Sequence, residues 1–86
     1  MRPEDILNNE QNTVERHGVV VRKGSVGAFL ANAAIWCDPT ATATQRQIAE
    51  RDILDLLPGL RALGLFDVFA IRNEALRNMI EAHSLV

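Results

Sequence analysis

The sequence predicts a small α+β domain with the element order β-α-α-β-α and a two-stranded sheet. Three observations carry this reading. Val19, Val20 and Val21 form an unbroken run of β-branched residues inside a short segment, which suits a pleated strand. Three later segments repeat large apolar residues at three- and four-residue spacing, as helices packing on one core do. Residues 65–71, LFDVFAI, place Phe66, Val68 and Ala70 in alternation with Leu65, Asp67, Phe69 and Ile71 and are rich in aromatic and β-branched side chains, which fits a second strand. At 86 residues the chain is long enough for one core and too short for two.

The elements follow in chain order. Residues 1–12 carry Pro3, Asn8, Asn9 and Asn12 among charges. They are expected to form an arm outside the core, partly mobile, with at most one helical turn over PEDIL. The single domain then covers 13–86. Residues 13–23 read as the first strand, with Gly18 as a bulge or strand start and Gly24 as its end. Residues 25–37 read as a helix with Ser25 as N-cap. Val26, Phe29, Leu30, Ala33, Trp36 and Cys37 form its apolar stripe, Asn32 and Ile35 fall outside it, and Asp38-Pro39 stops it.

The next helix starts near Thr44, with Gln47 at capping-box spacing; Thr42 with Gln45 offers a competing start. Ala49, Ile53, Leu56, Leu57, Leu60 and Leu63 stay in helical phase. Pro58 removes an amide donor and crowds the Leu54 carbonyl, so a kinked or broken central helix is expected. Gly64 reads as a left-handed stop, with Leu65 folding back on the core. A strand at 65–71 is preferred, because a lone valine strand needs a partner; the alternative is a helix capped by Asp67 and running through to residue 83. Asn73 then caps a last helix with Leu76, Met79, Ile80 and His83 on one face.

Composition excludes several function classes. Nine Lys and Arg against eleven Asp and Glu give a net charge of −2, so there is no overall positive field for nucleic acid. A single cysteine allows neither an internal disulfide nor a multi-cysteine metal cluster. The most apolar stretch, residues 26–37, spans twelve residues, too few for a bilayer about 30 Å thick. The N-terminus lacks the apolar core of a secretory signal, and neither end carries a lipidation box. A cytoplasmic protein with no membrane contact is the expectation.

The sharpest local motif is Arg22-Lys23-Gly24-Ser25-Val26-Gly27. A strand entering a glycine turn and a helix start, flanked by two cations, is what an anion or phosphate site uses. The site residues would be Arg22, Lys23, Gly24, Ser25 and Gly27. The same residues also serve as an ordinary turn, with Gly24 reversing the chain, Ser25 capping and Gly27 allowing close packing. The spacing is not that of a Walker A loop. Gly24 to Gly27 matches the G-x-x-G of KH loops, but those join two helices and this turn follows a strand.

Residues 44–54, TQRQIAERDIL, resemble the opening of a helix-turn-helix. That motif wants a turn glycine four residues after its central small residue. Counted from Ala49 the position is Ile53, and the apolar segment that follows offers no recognition helix. DNA binding of this type is therefore disfavoured. His17, His83, Cys37 and Asp38 are the residues with metal or catalytic chemistry, and none stands at a ligand or catalytic spacing. Cys37 beside Trp36 reads as a small buried hydrophobe. The four aromatics, Phe29, Trp36, Phe66 and Phe69, lie within apolar segments and read as core rather than as a base-stacking surface. Arg46–Glu50 and Arg51–Asp55 have the spacing of helix-surface ion pairs.

No catalytic residues, metal or cofactor are thus expected. The sequence points to a small interaction protein whose partner is a second copy or another protein. Its large apolar residues exceed what one small core hides, and residues such as Ile35 and Leu54 fall off the main stripes. An anion-binding module at 22–27 is the alternative.

Overall fold

The computed structural model describes residues 13–84. The expected N-terminal arm over 1–12 lies outside the described residues. The chain forms two strands, β1 (Thr13–Arg16) and β2 (Val19–Arg22), then four helices. These are α1 (Ser25–Cys37), α2 (Ala43–Leu63), α3 (Leu65–Val68) and α4 (Glu74–Ser84). The α+β class and the two-stranded sheet stand, but the order is β-β-α-α-α-α.

The sheet is a hairpin. β1 and β2 pair antiparallel, with Thr13 opposite Arg22 and Arg16 opposite Val19. His17 and Gly18 make a two-residue turn in which both have positive φ, 51° and 77°. This is the handedness that matches strand twist in tight hairpins. Gly18 thus reverses the chain, and the stretch expected as one strand is two. Among the strand side chains described, Val21 is the buried one; Val20 faces solvent, as alternation requires.

The valine strand has its partner across a two-residue turn, so 65–71 need not supply one. Those residues are not a strand. Gly64, at φ 82°, ends α2, and its carbonyl accepts from Asp67 N at 3.1 Å. The Leu65 carbonyl accepts from Phe69 N at 2.9 Å, closing α3 as a single helical turn. Leu65 folds back on the core as expected, and Phe66 meets Phe29 edge-on with centroids 5.8 Å apart.

α2 begins at the earlier of its two candidate starts. The Thr42 hydroxyl accepts from Gln45 N at 3.0 Å, and Gln45 Oε1 accepts from Thr42 N at 2.8 Å. Both halves of the capping box are therefore made two residues ahead of Thr44. The helix then runs to Leu63 without breaking at Pro58. Ile53 and Leu57 on one side of the proline and Leu60 on the other all sit in the same core, and that shared burial holds the helix together through a missing hydrogen bond. Asn73 caps α4 as expected, its Oδ1 accepting from Leu76 N at 2.9 Å.

The core is formed by Phe29 of α1, Ile53, Leu57 and Leu60 of α2, and Leu76 and Ile80 of α4. The hairpin docks from one side, where Val21 faces Gly59. Among the described residues no helix is long and apolar enough to cross a membrane.

Candidate functional site

The turn at 22–27 brings Arg22, Lys23, Gly24, Ser25 and Gly27 together at the start of α1. Gly24, at φ 85°, takes the N-cap position, with no side-chain cap; its carbonyl accepts from Ala28 N at 2.8 Å. Ser25 is not the N-cap. It is the first helical residue, nearly buried, and its hydroxyl donates to the Arg22 carbonyl at 2.7 Å. The hydroxyl proton is thus committed to tying the strand end to the helix start. Gly27 is exposed, and a Cβ there would meet nothing within 4 Å, so it is not needed for close packing. Arg22 and Lys23 are exposed.

Ser25→Ala is expected to cost about 1 kcal/mol by leaving the Arg22 carbonyl short of a partner, measured by urea denaturation. Inorganic phosphate should leave the melting temperature of the native chain unchanged. A rise with phosphate concentration would restore the anion reading, because mass action demands binding to the folded state.

A second feature is built by α1, and of its outward large apolar residues the sequence marks only Ile35 as lying off the core stripe. Its thirteen residues, SVGAFLANAAIWC, carry no charged side chain. Phe29 is buried, and Ala33 and Trp36 pack partly against the core. The rest of the expected stripe is not core: Val26, Leu30 and Cys37 are exposed, Leu30 by 64%. Ile35 is exposed as well. Gly27, Ala28, Ala31 and Ala34 complete the outward side. Leu54, expected off its stripe, packs partly against the core instead.

Alongside α1 runs an apolar groove of about 470 Å³. Val26, Leu30 and Phe69 line it, with Phe29, Phe66 and Leu76 toward the core. Phe69 is 65% exposed. It sits where the chain leaves α3 in an extended conformation, at φ −112° and ψ 141°. The amphipathic pattern of α1 is weak because apolar residues surround it. A periodicity argument finds the buried stripe of such a helix but not its exposed apolar face.

Polar contacts fix the C-terminal end of α1. Trp36 Nε1 donates to Glu50 Oε1 at 3.2 Å, and Arg46 Nε donates to the Trp36 carbonyl at 3.1 Å. The Arg46 guanidinium also lies 5.0 Å from the Trp36 ring centroid, a cation–π distance. Arg46 and Glu50, expected to pair with each other, both turn to Trp36. Arg51 meets Asp52 at 3.6 Å rather than Asp55. After the helix, Asp38 Oδ1 accepts from Thr40 N at 2.8 Å and Thr40 Oγ1 at 2.7 Å. These bonds, the backbone one foremost, hold the Asp38 carboxyl below the usual aspartate range.

His83 is exposed near the end of α4, with Nδ1 2.9 Å from the Met79 carbonyl. Among the described residues no group of three or more His, Cys, Asp or Glu could hold a metal ion. No family model matches the chain, and neither a curated protein nor a solved structure matches it.

Proposed function

We propose that the chain is a non-enzymatic interaction protein of the cytoplasm that works by associating with a second copy of itself. The observation that supports this best is the outward side of α1: a helix with no charged residue, with Leu30 and Ile35 open to solvent. Exposed apolar surface of this kind, next to an apolar groove, is what protein interfaces cover. The outward sides of α2 and α4 carry charge, with Ile48 of α2 the one exposed large apolar residue described on them. Arg46, Arg51 and Asp55 face solvent from α2, and Glu74 and Glu81 from α4. The exposed Cys37 thiol fits a reducing compartment.

Sedimentation equilibrium from micromolar to millimolar concentration tests the reading. The native chain is expected to dimerise. Leu30→Glu, at a solvent-facing position, should weaken the dimer at least tenfold while leaving circular dichroism unchanged, since it places a desolvated carboxylate in an apolar contact. A native chain that stays a 9.5 kDa monomer up to about 1 mM, an association weaker than roughly 4 kcal/mol, would end this reading.

A further inference from the structure

We infer that the two copies meet through α1, packed antiparallel on its own counterpart across a two-fold axis that passes close to Ala31. This rests on the self-association reading above and adds the surface and the orientation. Three observations on one helix lead to it.

The first is the apolar side of α1. Val26, Leu30 and Ile35 are large, apolar and exposed, spread over both ends and both flanks of the outward side. An isologous interface places the same patch on both subunits, so residue i of one copy meets residue j of the other and the reverse. A patch free of charge can do this with no like-charge contact.

The second is the charge at the two ends. Arg22 and Lys23 stand just ahead of Gly24 at the start of α1, Asp38 immediately follows its end, and all three are exposed; Arg46 and Glu50 at that C-terminal end carry opposite charges and are both bonded to Trp36, so Asp38 sets the sign there. The helix dipole has the same polarity, positive at the start and negative at the end. Antiparallel packing sets the basic end of each copy beside the acidic end of the other. Parallel packing would set basic against basic and acidic against acidic. Thr40 keeps Asp38 ionised, since its two hydrogen bonds favour the carboxylate. A purely apolar partner would leave these end charges unused, and a strongly charged one would face an uncharged helix.

The third is size at the middle. Ala31 is the central residue of α1 and is exposed, with Gly27 and Ala34 near it on the same side. Small residues at the crossing point let two helix axes approach to about 8 Å.

Disulfide trapping reads this out. The native chain has one cysteine, Cys37, six residues from the helix centre. In the antiparallel arrangement the two Cys37 positions lie about 18 Å apart along the axis, at 1.5 Å per residue. That is far beyond the roughly 7 Å limit between α-carbons for a disulfide. A Cys37→Ser, Ala31→Cys variant instead places its two thiols beside the axis.

With copper–phenanthroline and dioxygen as oxidant, the double variant is expected to cross-link more than tenfold faster than the native chain. Both should sediment as dimers at the same concentration under reduction, with unchanged circular dichroism. Fast cross-linking of the native Cys37 pair with none at position 31 would overturn the antiparallel arrangement. A dimer in which neither position cross-links would overturn the α1 interface while leaving self-association intact. A monomer in sedimentation would overturn both.

Discussion

Ile53→Ala is expected to destabilise the domain by about 3 kcal/mol, within the range for emptying a fully buried branched aliphatic site. Ile53 has no exposed surface and sits among Phe29, Leu57 and Leu60, so every methyl removed leaves a hole on the line where α1 meets α2. Single domains of this size hold only about 5–15 kcal/mol in reserve. The melting temperature should therefore fall by roughly 15 °C. The control is Ile48→Ala, one and a half turns earlier on the same helix and 47% exposed, which should change stability by less than about 1 kcal/mol. The denaturation midpoint should move without a change in slope, the mark of lost stability rather than altered compactness. Protein concentration must be held fixed, since the apparent stability of any self-associating chain rises with concentration. Equal losses at 48 and 53 would contradict this packing.

Pro58→Ala combined with Gly59→Ala should act in the opposite direction. Pro58 lies inside α2 and is exposed, so its ring contributes no core packing to lose. Alanine restores the amide that can donate to Leu54 and removes the clash with that carbonyl, in a place where proline costs up to about 3 kcal/mol against alanine. Gly59 faces Val21, but an added Cβ would stand 3.8 Å from the valine methyls, an ordinary contact. The helix therefore gains propensity there, worth roughly 0.5–1 kcal/mol. Together the pair should stabilise the chain by about 2 kcal/mol and raise its melting temperature by roughly 10 °C. A loss of stability would mean that the proline sets a bend on which docking of the hairpin depends.

Local chemistry made much of this fold legible in the sequence. Gly64 and Asn73 act as the stop and cap their residue types suit, and α1 starts and ends at the residues its composition marks. What misled was the need to find a partner for the valines. His17-Gly18 between two short β-suited runs is the two-residue turn of a hairpin, yet histidine is less familiar there than asparagine. With Gly18 read as a bulge or strand start, LFDVFAI is the segment left to pair with the valines. Gly64 and the packing of the partly buried Phe66 against the core instead turn that segment into a helical turn. The Thr42 cap was visible only as one of two equal options, because the capping box tells both starts apart only when its hydrogen bonds are seen.

The candidate site was less legible. The five residues at 22–27 do come together, but the direction of the Ser25 hydroxyl, which decides between a cap and an internal tie, is absent from any spacing. The Trp36–Arg46–Glu50 contacts join different helices, so no periodicity announces them. The apolar side of α1 was hidden by its own uniformity. Phe29 and Leu30 share the stripe that reads as core, and the structure buries the first and leaves the second outside.

The way the hairpin docks has a consequence for how the domain opens. The hairpin is tied to the start of α1 by the Ser25–Arg22 hydrogen bond, and its side-chain anchor to α2 is Val21 against Gly59, one residue beyond the proline that leaves the Leu54 carbonyl without its usual partner. A hairpin alone is marginal in water, so β1 and β2 form a unit whose free energy of opening lies well below that of the α1–α2–α4 core. Amide protons of Val19 to Arg22 should exchange with solvent by detachment of this unit while those around Ile53 wait for global unfolding. The helical core thus keeps time separately from the sheet, and the Val21–Gly59 contact is where the two clocks are coupled.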